Sequence, residues 1–553
     1  MRKNRSPASR RTRIRAWSGL VRPAAIALAV VLSWTDLALP NTAPADEPER
    51  DVVVYGGTAG GVMAAVAAAR HGADVVLLEP GRHVGGMVSG GLGHSDVYGQ
   101  RDLIGGLALE FFTRVGRHYG DPISMTFEPH VAEATLNAML KEAGVVVRFG
   151  RQLATVTSDG TRLTRLRTAK GESYRAKVFI DATYEGDLMA AASVSYTIGR
   201  EGRSCYGESL AGRVELLPGS HQFNLPVSPW RDGKLLPGIT PQEELVPVGE
   251  GDGRFQAYCF RLCLTDRPDN RMPIPRPHDY DLARYELLRR YLLAWAEHPE
   301  LPRHGPLGIA RVPNGKCDVN SGGPVSTNLL GANRDYPEAS PQRRAEIWEE
   351  HRSWAHGLLY FIQNDPDVPA SVRAEYADWG LCKDEFQDTG GWPHQLYVRE
   401  ARRMLGEHVL TQHDLQKHRR KHDVIGMAGY NIDIREVQWV AVRTYHFPKA
   451  EDRVYMEGYL SQPVEPWDIP YRAVLPRYSE CSNLLVPVCI SASTVAYASF
   501  RMESTFMVTG HSAGVAAALA ARSAVPVHHV SIVELHNMLR ADGQILHRAS
   551  AEP

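Results

Sequence analysis

The sequence carries almost no excess charge of either sign. It has 62 Lys and Arg residues against 63 Asp and Glu residues, a formal net charge of −1. Proteins that bind nucleic acid or anionic membranes need a basic surface, so we expect neither partner. The composition, 43% hydrophobic and 23% charged over 553 residues, indicates a globular protein of about two to four domains.

Cysteine is also scarce, with seven residues and no C-x-x-C pair. Zinc ribbons and four-cysteine iron–sulfur sites need such closely spaced thiols, so we predict no structural metal. An odd count leaves at least one thiol unpaired in a monomer. Cys259 and Cys263, in AYCFRLCLT, are expected on one face of a strand, where they would pack in the core.

The apolar run PAAIALAVVLSW, residues 23–34, is too short to span a bilayer, which needs about 20 residues. Eight basic residues precede it without an acid, and small residues follow at Ala43-Pro44-Ala45. This pattern predicts an export signal over residues 1–45, and Ser9-Arg10-Arg11 hints at the twin-arginine route. The alternative is a disordered basic tail. Export would place the protein in the periplasm or outside the cell.

The stretch DVVVYGGTAGGVMAAVAAARHGADVVLLEP, residues 51–80, predicts a β–α–β unit. Residues 52–55 and 73–78 form buried strands, and Gly72 ends an alanine-rich helix. The turn has Thr58 at the second glycine position of G-x-G-x-x-G. The bland alternative is an ordinary glycine-rich turn.

Glu79 favours the nucleotide-binding alternative. It follows Gly56 by 23 residues, close to the spacing of the acid that binds a ribose hydroxyl pair. A carboxylate there also repels a 2′-phosphate. We expect Gly61 to let helix and strand pack closely, and the Thr58 hydroxyl to be able to donate a hydrogen bond near the pyrophosphate. Glu79 does not distinguish FAD from NAD.

The next segments favour a flavin. GRHVGGMVSGG places a glycine doublet, Gly85-Gly86, soon after the second strand, as in the extended flavoprotein fingerprint. The alternative is a flexible loop. Asp159-Gly160 then predicts a hairpin, and KVFID, residues 177–181, a buried strand that leads into Ala182-Thr183. Flavoproteins of the glutathione-reductase type have this layout.

The chain as a whole resembles the FAD-dependent oxidoreductase family, whose flavin domain is distantly similar to that of heterodisulfide reductase. The resemblance covers about residues 50–525. It is carried by VVVYGGTAGGVMAA, HVGGMVSGGLG, IGGLALEFF, FEPHVAEATLNAML, FIDATYEGDLMAAASVSYTIGRE, FRLCLTDRPDNR, GGWPHQLYVREARRM and NLLVPVCISASTVAYASFRMESTFMVTGHSAGVAAALA.

The resemblance implies bound FAD, redox chemistry and a Rossmann-like α/β domain with a parallel sheet and a β-meander, but no substrate. It also implies threonine or serine at the Thr58 position. The iron–sulfur clusters of the reductase relatives are not carried over, because the cysteines are missing. Gly429 and Arg435 depart from the S-Y-x-x-D-x-H pattern of the family, where serine and histidine stand; if that histidine contacts substrate, the reaction here differs or is lost.

Gly510-His511-Ser512-Ala513-Gly514 fits G-x-S-x-G, the nucleophile elbow of serine hydrolases. Only 41 residues follow Ser512, too few for the remaining hydrolase sheet, so this alternative is disfavoured. The resemblance instead implies that residues 504–510 turn into a last helix whose N-terminus faces the flavin. We expect Gly56, Glu79 and Gly510 to line one crevice.

The sequence thus predicts a set of FAD-binding residues and a division of the chain into domains. The predicted cofactor residues are Gly56, Gly57, Thr58, Ala59, Gly60, Gly61, Glu79, Gly85, Gly86, Met87, Ala182, Thr183, Gly510, Ser512, Ala513 and Gly514. The predicted domains are the FAD-binding domain in two parts (46–205 and 471–535), a mixed α+β substrate or cap domain between them (206–470), and a C-terminal tail (536–553). Helices are expected near residues 283–298 and 340–362.

The predicted catalytic residues are His94, Arg501, His511 and Arg399. The first three are candidates for general acid or base, or for contact with the hydride site. Arg399 and Arg402, at the expected start of an amphipathic helix, would clamp a carboxylate or form surface salt bridges.

For several other polar residues the sequence allows both a functional and a purely structural role. Asp318 and Asn320 are expected either to face substrate or to occupy a turn. The histidines of HDLQKHRRKHD (His413, His418, His422) are expected either to bind a metal or to lie in a solvated charged segment. The sequence thus predicts an exported enzyme that passes a hydride from an unidentified small organic substrate to FAD and then to an unknown electron acceptor, without a stable membrane span. The alternatives are an NAD-linked dehydrogenase and a catalytically silent flavin-fold binding protein.

Overall fold

The structure is a computed structural model. It describes residues 47–548, with gaps at 98–99, 217–218, 220, 417–420 and 447–448. The predicted export signal (1–45) and His418 lie outside the described residues. Within them, no helix combines the length and the apolar character that crossing a membrane requires.

The described chain contains both strands and helices in mixed order, with short 3-10 turns between some of them. The strands are β1 (Arg50–Tyr55), β2 (Val75–Glu79), β3 (Val146–Phe149), β4 (Leu153–Asp159), β5 (Arg162–Thr168), β6 (Ser173–Tyr174), β7 (Ala176–Asp181), β8 (Tyr196–Thr197), β9 (Trp230–Arg231), β10 (Lys234–Leu235), β11 (Ile239–Pro241), β12 (Leu262–Thr265), β13 (Arg271–Met272), β14 (Leu307–Val312), β15 (Lys316–Ser321), β16 (Gly380–Cys382), β17 (Arg403–Met404), β18 (Val424–Ala428), β19 (Ile432–Ile434), β20 (Gln438–His446), β21 (Lys449–Glu457), β22 (Leu460–Gln462), β23 (Trp467–Pro470) and β24 (Leu484–Leu485). The helices are α1 (Ala59–Arg70), α2 (Gly106–His118), α3 (Pro129–Glu142), α4 (Asp187–Ala191), α5 (Arg203–Tyr206), α6 (Glu286–Glu297), α7 (Pro341–Asn364), α8 (Ala370–Tyr376), α9 (Gln412–Gln416), α10 (Thr494–Phe500), α11 (Glu503–Ser523) and α12 (Ile532–Ala541).

The predicted β–α–β unit is confirmed. β1 pairs in parallel with β2, with Val52 opposite Val75. Side chains alternate along β1, so Val52 and Val54 pack on the side of α1, whereas Val53 and Tyr55 pack on the opposite face. Both faces of the strand are therefore buried, which explains its unbroken apolar run.

The two ends of the described chain meet in one parallel sheet. Its order is β24-β7-β1-β2-β3, and Leu484 of β24 lies opposite Phe179 of β7. Strand order therefore reverses direction at β1, because β2 and β3 lie on one side and β7 and β24 on the other. In open α/β sheets a crevice forms at such a point, beyond the carboxyl ends of the strands. The predicted α/β class is confirmed.

A β-meander covers one face of this sheet. β4, β5 and β6 form an antiparallel sheet, and the predicted hairpin at Asp159-Gly160 joins β4 to β5. Gly160 has a φ of +56°, which glycine adopts readily. Leu163 and Leu166 of β5 pack against Val53 and Phe179 of the parallel sheet, while α1 and α11 cover the other face.

The chain between these parts forms further sheets and helices. The largest sheet is antiparallel with order β13-β16-β12-β15-β14, and β11, β20 and β21 form another. The predicted helices are present as α6 and α7, and Ser340 caps α7 by accepting from the Arg343 N–H. The boundaries of the predicted domains stay a prediction.

Candidate functional site

An open crevice lies at the carboxyl ends of β1, β2 and β7, where the strand order reverses. Gly56 follows β1, Glu79 ends β2 and Thr183 follows β7, and all three line the crevice. Two more of the predicted cofactor residues, Thr58 and Gly86, line it as well. Five predicted cofactor residues, from the segments after β1, β2 and β7, are thus brought together at the place where α/β folds bind nucleotides.

The glycine-rich turn brings the backbone close to its neighbours. Gly56 has a φ of +101°, and a Cβ there would lie 2.8 Å from the Thr183 backbone nitrogen. The Thr58 side chain is the N-cap of α1: its oxygen accepts from the Gly61 N–H at 3.1 Å and donates to the Ala182 carbonyl at 2.7 Å. The expectation that this hydroxyl donates near a pyrophosphate is wrong here, because its single proton goes to Ala182.

Glu79 is held across the mouth of this turn. Its carboxylate accepts from the Gly57 N–H at 2.6 Å and from the Gly81 N–H at 2.5 Å. Burial raises the pKa of Glu79 to about 7, although the two N–H donors act in the opposite direction. A fixed carboxylate at this position is able to accept hydrogen bonds from two vicinal hydroxyls.

The glycine doublet, Gly85-Gly86, is a second place where the backbone lies close to neighbouring residues. The Gly85 N–H donates to the Gly57 carbonyl at 2.7 Å, and a Cβ on Gly86 would lie 2.2 Å from the Tyr184 hydroxyl. That hydroxyl accepts from the Met87 N–H at 2.9 Å and donates to Glu503 at 2.7 Å. Glycine is required here, and the loop is an ordered link to the N-terminus of α11.

The crevice fits the adenosine diphosphate half of a dinucleotide. A helix N-terminus directs N–H groups and a partial positive charge towards it, glycines allow close approach, and an acid stands at the ribose position. On the opposite wall the imidazoles of His83 and His394 stack at 3.9 Å between ring centroids. His83 also bonds to Glu133 and Asp388, which hold the stack in place.

Two small cavities lie at the N-terminus of α11, and both are lined by Asp96, Met502 and Ser504. The two carboxyls there, Asp96 and Glu503, are not among the predicted catalytic residues. The polar side chains that complete the lining are those of Gln100, Tyr430 and Thr505 in one cavity and of Ser95, Tyr397 and Glu503 in the other.

Asp96 is the carboxyl shared by both cavities. Within the described residues its side chain has no hydrogen-bond partner, and it is only partly exposed. Burial raises the pKa of Asp96 above its ordinary value, and the charges of Asp318 and Asp433 raise it further. Arg261 and Arg501 lower it. A carboxylate with a raised pKa is a stronger proton acceptor.

Glu503 is the second carboxyl. It is 8% exposed, and one of its oxygens accepts from Tyr184 while the other has no partner within the described residues. Burial raises the pKa of Glu503 to about 8. Because Tyr184 also lines the crevice, this hydrogen bond links the lining of the crevice to the lining of one of the two cavities at α11.

A family model described as "FAD dependent oxidoreductase" matches residues 51–539. The chain belongs to this family. Its cofactor is therefore FAD, and the NAD-linked alternative left open by Glu79 is not supported. The distant likeness to heterodisulfide reductase stays a prediction.

Solved structures match shorter parts of the chain. They include thioredoxin reductase from T. acidophilum (20% identity, 24% of this chain, 35% of that chain, TM-score 0.17), L-proline dehydrogenase from P. horikoshii (16%, 29%, 59%, 0.23) and a flavin-containing monooxygenase from Stenotrophomonas maltophilia (22%, 29%, 43%, 0.19). The chain spans less than two thirds of each of them. TM-scores of this size carry no argument about its reaction.

The C-terminal glycines do not contact the crevice. α11 begins at Glu503, so the expected turn over residues 504–510 is wrong, and Gly510 lies two turns inside the helix. A Cβ on Gly510 would lie 2.0 Å from the Gly60 carbonyl, and one on Gly514 would lie 2.2 Å from the Ala64 carbonyl. These glycines let α11 pack against α1. Gly56 and Glu79 share a crevice, but Gly510 does not line it.

The other residues of that motif are also internal to the helix packing. The Ser512 hydroxyl donates to the Ile425 carbonyl at 2.6 Å, and Ala513 is fully buried. His511 is buried and bonds to Asp542 at 2.9 Å. A serine in mid-helix is not on a nucleophile elbow, which agrees with rejection of the hydrolase alternative.

Arg501 is the predicted catalytic residue that lies next to the cavities. Its guanidinium donates to the Tyr397 hydroxyl at 3.1 Å and to the Asp433 carbonyl at 2.7 Å. Tyr397 lines one of the cavities. The backbone N–H of His94 donates to Asp318 at 3.1 Å, which fixes the chain two residues before Asp96.

The segment around Arg399 is extended, so the expected amphipathic helix is wrong. Arg399 is buried and donates to the Asn328 side chain at 2.9 Å. Arg402 forms salt bridges with Asp187 at 2.8 Å and with Glu338 at 2.8 Å, and Glu338 is about half exposed, which agrees with the salt-bridge alternative. Hydrogen bonds from Arg399 to Asn328 and from Arg402 to Asp187 hold this segment in place. The catalytic roles of His94, Arg399 and His511 stay predictions.

Asp318 is not in a turn. It lies in β15, pairs with Arg261 at 2.7 Å and accepts from the backbone N–H of Gly93. Asn320 is in the same strand and accepts from the Ser321 N–H. His413 contacts the Tyr206 carbonyl at 3.2 Å.

One cluster in the described chain has the composition of a metal site. Ligand atoms of Glu128, His130 and Glu385 lie within 4.8 Å of one another. The Lys316 ammonium contacts Glu128 at 2.8 Å, Glu385 at 2.6 Å and Asp384 at 2.8 Å. A lysine therefore already supplies the positive charge that these carboxylates need. The expectation of no structural metal stays a prediction.

Proposed function

We propose that this protein is exported and oxidises a small organic substrate by transfer of a hydride to its FAD. The observation that carries the proposal is the pair of carboxyls, Asp96 and Glu503, at the two cavities beside the α11 N-terminus. Bound FAD accepts a hydride and passes the electrons on to an acceptor. The crevice and one of the cavities are neighbours, because Tyr184 lines the crevice and donates to Glu503, which lines that cavity.

Asp96 takes the role of proton acceptor in this proposal. Oxidation of an alcohol or amine needs a base that removes the O–H or N–H proton while the C–H bond breaks. Asp96 is suited to that role because its carboxyl makes no hydrogen bond within the described residues and its pKa is raised. Arg501 would position Tyr397 at the edge of the same cavity. The α11 N-terminus favours negative charge that develops there.

The test is an anaerobic screen of alcohols and amines that follows bleaching of the flavin absorbance. At least one substrate should bleach it, and Asp96→Asn should retain FAD but slow the bleaching about 100-fold. Asp102→Asn is a matched control, because Asp102 lies nearby but is exposed and bonds to Arg548. If no substrate and no artificial donor reduces the bound FAD, the silent binding protein is the better description.

Export is supported by the sequence pattern of residues 1–45 alone. Cell fractionation followed by N-terminal sequencing tests it. A mature chain that starts near residue 46 in the exported fraction is expected. A chain that keeps Met1 would contradict export without affecting the redox proposal.

A further inference from the structure

Two of the scarce cysteines lie side by side in the antiparallel sheet. β12 pairs with β16 so that Leu264 is opposite Leu381 and Thr265 is opposite Gly380. The next step of this register brings Cys263 opposite Cys382. Their Sγ atoms are 3.8 Å apart, and both residues are buried.

The positions match the geometry of a disulfide. Directly opposed residues in antiparallel strands have Cα atoms about 4.5–5.5 Å apart, and disulfides span about 4.4–6.8 Å. Small side-chain rotations would therefore bring the sulfur atoms to bonding distance. Cys317 is opposite Leu264, so its side chain points to the other face of the sheet. Cys259 precedes β12, contrary to the expectation of one shared strand, and its sulfur contacts Arg399.

We propose that Cys263 and Cys382 form a disulfide when this chain folds in an oxidising environment. Two S–H bonds break and one S–S bond forms, and the two electrons and two protons pass to an organic disulfide, which leaves as two thiols. The proposal relies on export only for the place where such an oxidant acts; its chemistry does not depend on the redox function.

The bond must form early in folding. Mutual hydrogen bonding and burial raise the pKa of the Cys263 thiol, so thiolate, the reactive form, is rare in the folded protein. Phe386 packs with both cysteines in a small buried cluster, and this burial limits access for an oxidant. Oxidation of the two thiols should therefore be efficient during folding and slow afterwards.

The bond would anchor one wall of the nucleotide crevice. The two cysteines are 119 residues apart, so the closed loop is long and includes α6, α7 and α8. The chain leaving Cys382 continues through Phe386 to His394, which lines the crevice and stacks on His83. A crosslink at the start of this segment should stabilise its placement.

The first test maps the thiols of the full-length protein. The chain is refolded with FAD and oxidised glutathione, denatured, alkylated with iodoacetamide without reduction, and digested for mass spectrometry. A peptide pair joined through Cys263 and Cys382, two hydrogens lighter than its parts, is expected, with Cys317 alkylated. Full alkylation of both Cys263 and Cys382 would overturn the proposal. The wild-type chain is used, so no variant has to fold.

A second test measures the effect of the bond. A phosphine reductant should lower the Tm of the wild type and of Cys317→Ser by a few degrees. The double variant with Cys263→Ser and Cys382→Ser should not respond to the reductant. An equal response of the double variant and the wild type would show that the crosslink is elsewhere.

Discussion

Two glycine-rich stretches of this protein look alike in sequence and act differently in the structure. Residues 56–58 form the turn between β1 and α1, residues 59–61 begin α1, and Gly56 has a positive φ in the turn. Residues 510–514 lie inside the 21-residue helix α11. The first stretch brings backbone to a crevice, whereas the second brings one helix against another. They even touch, because Gly510 faces the Gly60 carbonyl.

The comparison shows that a glycine pattern has no fixed meaning until its secondary structure is known. In a turn, glycine provides a backbone conformation that other residues rarely adopt. In a helix interior glycine destabilises the helix slightly, and it is needed only where a neighbouring element packs too close to leave room for a Cβ atom. Substitutions in each stretch should therefore fail in different ways: loss of cofactor in the turn and loss of stability in the helix.

The largest effect is expected from Gly510→Ala. The new Cβ would lie 2.0 Å from a backbone oxygen of α1, so the two helices must separate. The free energy of unfolding should fall by about 3 kcal/mol, although alanine is the better helix former. Denaturant unfolding measures this. Gly253→Ala, at a site with no atom within 4 Å of the new Cβ, should cause little change; equal stability of the two variants would contradict the helix contact.

Gly86→Ala should mainly reduce FAD affinity. Its Cβ would lie 2.2 Å from the Tyr184 hydroxyl, which must then leave Met87 and Glu503. We expect affinity to fall about tenfold or more, the effect of about 1.4 kcal/mol, when FAD binding is followed by fluorescence quenching. Gly72→Ala is the control, because φ is also positive there but no atom lies within 4 Å. A similar loss in both variants would point to backbone strain alone.

Glu503→Gln tests the N-terminus of α11 through the pH dependence of the free energy of unfolding. The pKa of Glu503 is raised to about 8 in the folded protein, so between about pH 4.5 and 8 the folded state holds a proton that the unfolded chain has released. Its contribution to stability is therefore greatest below pH 4.5 and is lost as pH rises towards 8. The variant should gain about 2 kcal/mol or more on the wild type over this range.

Urea unfolding of FAD-free protein at several pH values measures that gain. Glu534→Gln removes an acid that is about half exposed on α12 and should leave the pH profile unchanged. Parallel profiles for Glu503→Gln and the wild type would mean that Glu503 is not protonated in the folded state.

The smallest effect is expected from Ser512→Ala. The lost hydroxyl donates to the Ile425 carbonyl, which keeps a second donor in Gln544 at 3.2 Å. Stability should fall by about 1 kcal/mol, with FAD content and turnover unchanged. A fluorophosphonate should not label the protein. Loss of activity together with labelling would revive the nucleophile interpretation.

The sequence predicted the parts of the fold that depend on short segments. β1, α1 and β2 follow one another within 30 residues, and the hairpin at Asp159-Gly160 needs only its own turn. The failures came where packing overrides local pattern. The segment around Arg399 has a helical pattern but is extended, since the Asn328 side chain and neighbouring backbone groups hold its guanidinium.

The candidate catalytic site also depends on tertiary packing that local sequence patterns do not predict. Arg501 was found because it belongs to a stretch with a strong family likeness, whereas Asp96 and Glu503 were missed. Glu503 stands two residues after Arg501 in that same stretch, and Asp96 stands three residues after HVGGMVSGGLG, so the two come from opposite ends of the chain. Their raised pKa values arise from burial, which no local pattern records.

By itself the sequence determined the β–α–β unit, the acid at its second strand and the FAD family, because these depend on residues close together in the chain. Only the tertiary structure decided that Gly510 supports a helix contact, that the Thr58 proton goes to Ala182, and that Asp96 shares a cavity with the start of α11. Each of these three contacts joins segments that are distant in the chain. Which distant segments come into contact depends on how the whole core is buried.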